Sequence, residues 1–273
     1  MVIDFHTHIF PDKIAERTIK ALEQNILDIQ GVSSYAYLDG TLSGLKKSMK
    51  INNIDYSVVM PIATKVTQST TINNFAQSIN GKDNIFSFGS VHPLQSDAME
   101  ELERVKELGL LGIKLHPEYQ NFYIDSDESM RVLKKAEQLG LFVVLHTGKD
   151  IGIKPPVHCS PDRLRIAVEK LGKGGANIIA AHMGGWREWD MVYDYLAGSE
   201  VMLDTSYSIP MMGQDLFEKI FAKHGADKIL FGTDSPWQSQ GESVENIKKL
   251  GLSDIDCNKI LSGNAVNLLG LNN

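Results

Sequence analysis

The first eight residues, Met1-Val2-Ile3-Asp4-Phe5-His6-Thr7-His8, carry two imidazoles two positions apart on an apolar run. In a strand, side chains alternate between faces, so His6 and His8 project to one side with Asp4 a step below them. Two imidazoles held this way can grip one divalent ion through nitrogen at about 2.0–2.1 Å. A bare His-x-His pair also suits simple hydrogen bonding in a polar loop, so further ligands must decide between the two. Later apolar runs end at His92, His116, His146 and His182, and the last ends at Asp234.

The elements that must position these groups alternate along the chain. After the first strand, helices are expected near 12–24 and 41–52, with residues 31–40 a lid or extra strand inserted between them. Strands follow at 56–61, 85–91, 110–116, 141–145, 177–181, 201–203 and 228–232. Helices separate them near 70–80, 96–108, 127–139, 161–171, 186–197 and 213–224, with two more after Ser253 and at 264–269. Most of these strands are continuously apolar, as expected for a parallel sheet buried on both faces.

Eight strands alternating with helices over 273 residues suit a closed α/β barrel or an open doubly wound sheet. An open nucleotide-binding sheet would carry a glycine-rich turn after its first strand, where this chain has histidines and Pro11. The expected fold is therefore a (β/α)8 TIM barrel, one domain over 1–273, with the lid insertion after strand one. Such a barrel builds its active site at the C-terminal ends of its strands, where six of the eight histidines fall. Together His6, His8, His146 and Asp234 supply three nitrogens and a carboxylate from strands one, five and eight. That set makes a catalytic metal site when a water keeps one coordination position.

Composition narrows the partners. A net charge of −7 argues against nucleic acid or an anionic membrane, leaving a small-molecule substrate. Cys159 and Cys257 lie outside any C-x-x-C pattern, which suits a reducing compartment. No leader or membrane span is read from the apolar runs, so a cytoplasmic location is expected.

Five ordered motifs carry a resemblance. His6-Thr7-His8, Gly112-Ile113-Lys114-Leu115-His116-Pro117, the strand ending at His146, His182-Met183-Gly184-Gly185 and Phe231-Gly232-Thr233-Asp234 resemble the amidohydrolase superfamily. The nearest branch is the amidohydrolase-related group that includes aminocarboxymuconate-semialdehyde decarboxylase, to whose closing segment residues 262–271 are similar. The resemblance implies one divalent metal, zinc first with manganese or iron as alternatives, on His6, His8, His146 and Asp234. It gives His182 the place beside the metal-bound water, or of a ligand if a second metal binds. Asp234 would both touch the metal and accept a proton from that water. It also suggests a homodimer.

Lys114 and His116 share a strand face at the barrel mouth and are read as substrate-binding, Lys114 as an unmodified cation for a carboxylate. A carboxylated Lys114 bridging a second metal, as in other superfamily branches, is the alternative. His92 is as readily a structural strand-end residue. Phe10, Tyr119, Trp186, Tyr207 and Trp237 could line the pocket or pack loops. Arg187 could reach a substrate carboxylate through its fork, or pair with Glu188 or Asp190.

One departure bears on the reaction. Decarboxylases of this branch hold the substrate carboxylate with an arginine after the first strand, and this chain has none between Arg17 and Arg104. Lys46 or Lys65 would lack the bidentate geometry. That favours an enzyme hydrolysing a C–O or C–N bond of a small anionic lactone, ester or amide. The alternatives are a metal-dependent decarboxylase of an aromatic or unsaturated acid, and a catalytically silent barrel binding a metal or metabolite.

Overall fold

Short apolar runs such as Phe142-Val143-Val144-Leu145 have no polar face to turn to water, so they pair side by side and are covered by helices. The computed structural model describes residues 1–271. Its strands are β1 (Ile3–Thr7), β2 (Tyr56–Val59), β3 (Ile85–Ser87), β4 (Gly112–Leu115), β5 (Phe142–Leu145), β6 (Ile178–Ala180), β7 (Met202–Asp204) and β8 (Ile229–Leu230). They form two parallel ladders, β1-β2-β3 and β4 through β8 in chain order. The ladders meet at two seams through single parallel bridges, Gly89 to Ile113 and Thr7 to Ser235. At the second seam the Asp234 N–H donates to the His6 carbonyl at 2.9 Å. The arrangement is the expected (β/α)8 fold, held at its seams by isolated bridges rather than full ladders.

Local signals explain the helix ends. The Thr41 hydroxyl accepts from the Gly44 N–H ahead of Leu42–Asn52, and Ser126 accepts from the Ser129 N–H ahead of Asp127–Leu139. Gly140 closes that helix at φ 67°. The first helix runs over Asp12–Gln30, six residues past the expected 24, because Ile26 still reaches the core and the stop comes at Gly31. Residues 31–40 contain no strand, and they are tied down by Tyr37 and Leu38 N–H groups donating to the Pro236 carbonyl. Helix Gln240–Lys248 was not expected, since its apolar stripe is reduced to Val244 and Ile247.

Most buried apolar side chains form one cluster between strands and helices. A smaller cluster joins Ile3, Phe5, Val58, Val144 and Leu230 to Ala265 and Leu269 of the C-terminal helix. Among the described residues no helix is long and apolar enough to cross a membrane.

The buried His224, at the end of helix Gln214–His224, gives a pH prediction away from the site. Its Nδ1 accepts from the Gly198 N–H at 3.2 Å, which protonation would disrupt. Burial first, then Lys228, draws its pKa from 6.5 to about 4. The folded state therefore binds fewer protons than the unfolded chain between those values. Stability is full above pH 6.5 and falls towards pH 4, by about 3 kcal/mol from this residue. Urea titrations at pH 7 and 4.5 should show a smaller acid loss in His224→Gln than in wild type, and equal losses would refute the assignment.

Candidate metal centre

β1 delivers His6 and His8 to the C-terminal mouth as their spacing requires. The His6 Nε2 and His8 Nε2 atoms lie 3.1 Å apart, and Asp234 Oδ1 stands 3.5 and 3.2 Å from them. Each ring is fixed from behind. His6 Nδ1 donates to Asp204 Oδ2 at 2.8 Å, and His8 Nδ1 donates to the Met60 carbonyl at 2.7 Å. With a proton on Nδ1, each ring in its neutral form turns an Nε2 lone pair inward, the usual way an outer hydrogen bond prepares a metal-binding histidine. Burial, with Lys114 next, draws the His6 pKa to about 4, so that ring is neutral near pH 7.

The other strands supply the remaining wall. Asp204 at the end of β7 accepts from the His182 and Ser206 N–H groups, both at 3.0 Å, and from the Ser206 hydroxyl. His182 Nδ1 lies 3.0 Å from the Ser206 carbonyl and must donate to it, leaving its Nε2 to accept from His146 Nδ1 at 3.0 Å. His146 therefore sits at the same mouth as the leading histidines, joined to them through His182. Its own Nε2 faces the Lys149 carbonyl at 3.2 Å and the Asp150 carboxylate at 3.8 Å.

His6, His8 and Asp234 form one convergent group of metal-binding donors, and His116, His146 and Asp150 form another. Asp150, in the loop after β5, was not foreseen. Neither was Asp204, although both acids stand in the reading frame of strand ends and loops. Lys114 is buried with Nζ 3.1 Å from His6 Nε2, and it makes no salt bridge among the described residues. Burial draws its pKa to about 8, while Asp204 and Asp234 oppose the shift.

Backbone strain gathers here. His182, Met183, Arg187, Tyr207 and Asp234 all have positive φ without being glycine. The β6 turn is held by the Met183 N–H donating to the Asp204 carbonyl at 2.6 Å and by Trp189 Nε1 donating to the His182 carbonyl at 2.9 Å. At Gly232 a Cβ would stand 2.7 Å from His6 Cβ, so glycine there lets β8 approach β1 closely.

A cavity of about 450 Å³ opens over these groups. His8, Lys114, His116, His146, His182 and Asp234 form its polar side, and Phe10, Tyr119, Trp186, Tyr207 and Trp237 are all on its walls. Ile9, Ile14, Ile62, Ile72 and Phe75 make much of the rest apolar. Arg187 does not pair with Glu188 or Asp190; its guanidinium lies over the Trp186 ring at 4.5 Å. Lys46 is away from the cavity, bonded to Asp83 at 2.6 Å, and His92 Nδ1 accepts from the Leu94 N–H as a structural residue would.

A family model described as Amidohydrolase matches residues 3–271. Comparison with curated proteins found no match. The chain is similar to the structure of 5-carboxyvanillate decarboxylase from Novosphingobium aromaticivorans, complexed with manganese and 4-hydroxy-3-methoxy-5-nitrobenzoic acid. The identity is 15%, coverage is 99% of this chain and 96% of that one, and the TM-score is 0.72. It is similar to dihydroxybenzoic acid decarboxylase from a Polaromonas species with bound manganese and the inhibitor 2-nitroresorcinol (18%, 100% and 97%, TM-score 0.69). A probable 2-pyrone-4,6-dicarboxylic acid hydrolase from Acinetobacter baumannii with citric acid bound also matches (17%, 98% and 99%, TM-score 0.66).

Proposed function

The chain belongs to the amidohydrolase family, and on that premise we propose that it is a metal-dependent, non-oxidative decarboxylase of an aromatic or unsaturated carboxylic acid. The observation that carries the reading is the cavity: aromatic and aliphatic walls, with a cation and metal-binding donors grouped on one side. A flat apolar ring fits those walls, and its carboxylate fits that polar side. Two decarboxylases with bound manganese share this fold, which supports the same direction. The absent arginine favoured hydrolysis, but buried Lys114 supplies a carboxylate-binding cation from β4 instead.

The donor set fits a divalent ion. Two inward lone pairs and a carboxylate oxygen within 3.5 Å of one another repel unless a cation lies among them, and Lys114 answers only His6. His6, His8 and Asp234 would hold the ion, with His146 as the fourth ligand proposed from its strand end. Nitrogen and carboxylate donors suit zinc and manganese alike. The bound ion would supply charge neutralisation and electron withdrawal at the substrate's oxygens.

The chain's own residues do the rest. Lys114 Nζ binds and orients the substrate carboxylate, and the apolar walls exclude water from the ring. The C–C bond to the carboxylate breaks, carbon dioxide leaves, and the electron pair stays on the ring carbon. One proton from solvent, relayed through the Asp234 carboxyl, takes the vacated position. His182 positions this edge of the cavity through its bonds to His146 and Ser206.

A panel of hydroxybenzoates given to manganese- or zinc-loaded protein should yield carbon dioxide and the matching phenol. Hydrolysis of lactones or esters with no carbon dioxide from any acid would restore the hydrolase reading and overturn this one.

A further inference from the structure

A second cavity of about 290 Å³ adjoins the first, and Lys149, Asp150 and Trp186 line both. Its wall gathers three cations, Lys149, Lys154 and Arg187, from the loops after β5 and β6. None of the three makes a salt bridge among the described residues. The convergence is built into the backbone. Gly148 bridges Trp186 in parallel, and the Lys149 N–H donates to the Trp186 carbonyl at 3.0 Å. A Cβ at Gly148 would stand 2.3 Å from the Trp186 nitrogen, so only glycine allows the two loops to meet. Arg187 then takes φ 57° and stacks on the Trp186 ring.

On a chain of net charge −7, three unpaired cations around one hollow concentrate positive potential at the entrance of the larger cavity. The three cations outnumber the two acidic residues on that wall, Asp150 and Glu118, both of which have partners of their own. Asp150 is engaged by the Gly152 N–H at 2.7 Å and by His116 Nε2 at 3.4 Å. Glu118 is buried, with Oε1 accepting from the His158 N–H at 2.9 Å.

We propose that this hollow is a subsite for a second carboxylate on the substrate, remote from the one that reacts, so that the preferred substrate is a dicarboxylate. The guanidinium of Arg187 offers a planar fork for it, and Lys149 and Lys154 add charge. The substrate would span the shared wall, its ring in the apolar cavity. The inference rests on the decarboxylase reading for its substrate, but its binding test does not.

Calorimetry on the metal-loaded protein should show isophthalate binding at least about ten-fold tighter than benzoate at low salt, with the preference shrinking as salt rises. Arg187→Ala and Lys154→Ala should each cut that preference several-fold, and the double variant should abolish it. In turnover, the ratio of kcat/KM for hydroxyisophthalates over hydroxybenzoates should fall in the same order. Equal wild-type affinity for the two probes, or an unchanged preference in the folded double variant, overturns the subsite. If no acid is turned over yet the dicarboxylate preference is present and lost in the variants, the decarboxylase reading fails and the subsite stands.

Discussion

Asp234→Asn is expected to lower kcat/KM for decarboxylation by about 10³-fold or more while leaving the fold intact. The carboxylate sits 3.2 Å from His8 Nε2 and 3.5 Å from His6 Nε2, as one of the three donors that would face the ion. An amide has nearly the same volume, so packing is preserved. It brings no negative charge to the donor set, and it cannot carry the proton to the ring carbon. Both losses fall on the transition state, so kcat should drop far more than KM rises. A variant that retains wild-type kcat would remove Asp234 from the chemistry.

The second large effect is expected at a residue that does not touch the substrate. Asp204→Asn should weaken metal binding about 10–100-fold, the range seen when the outer hydrogen-bond partners of metal-bound histidines are removed. Asp204 Oδ2 accepts the His6 Nδ1 proton at 2.8 Å and so dictates which nitrogen faces the site. An asparagine that turns its amide nitrogen to this position donates instead, and His6 then shifts its proton to Nε2, where a metal cannot bind. The same residue also accepts from the His182 N–H, so the β6 turn loses part of its support. Titration of the apo variants with manganese, with circular dichroism as a check on folding, separates this from general damage. Asp204→Glu should recover less than full affinity, because the longer side chain displaces the imidazole it orients.

How far the site could be read from the chain depends on how local each signal is. His6 and His8 needed only strand alternation, and helix Asn264–Leu269 was bounded as expected by its own sequence. The barrel followed from apolar runs between helices. Lys114 was legible because β4 keeps residue parity with His116. Asp204 was not, since its partner His6 is 198 positions away and they meet only when β7 and β8 close towards β1. Asp150 and the Lys149–Lys154–Arg187 hollow depend on the loops after β5 and β6 zipping together at Gly148, which no periodicity encodes. Helix Gln240–Lys248 escaped because its buried N-terminal residue is Gln240, whose amide donates to Asp4 at 2.7 Å. A polar residue buried for a hydrogen bond looks like surface in sequence.

His146 shows the limit most clearly. Its place at a strand end put it with His6, His8 and Asp234 in the expected ligand set, and it does line the same cavity. Its immediate partners are His182 and the Lys149–Asp150 turn, because the rotamer of a strand-end side chain is settled by neighbours from other strands.

Metal content is the most direct test of the central claim. Purified protein, loaded with manganese or zinc and dialysed, should retain close to one equivalent, and the His6→Ala/His8→Ala double variant should retain almost none while staying folded. A double variant that keeps the full equivalent would show that the ion, and with it the chemistry argued from β1 and β8, resides elsewhere.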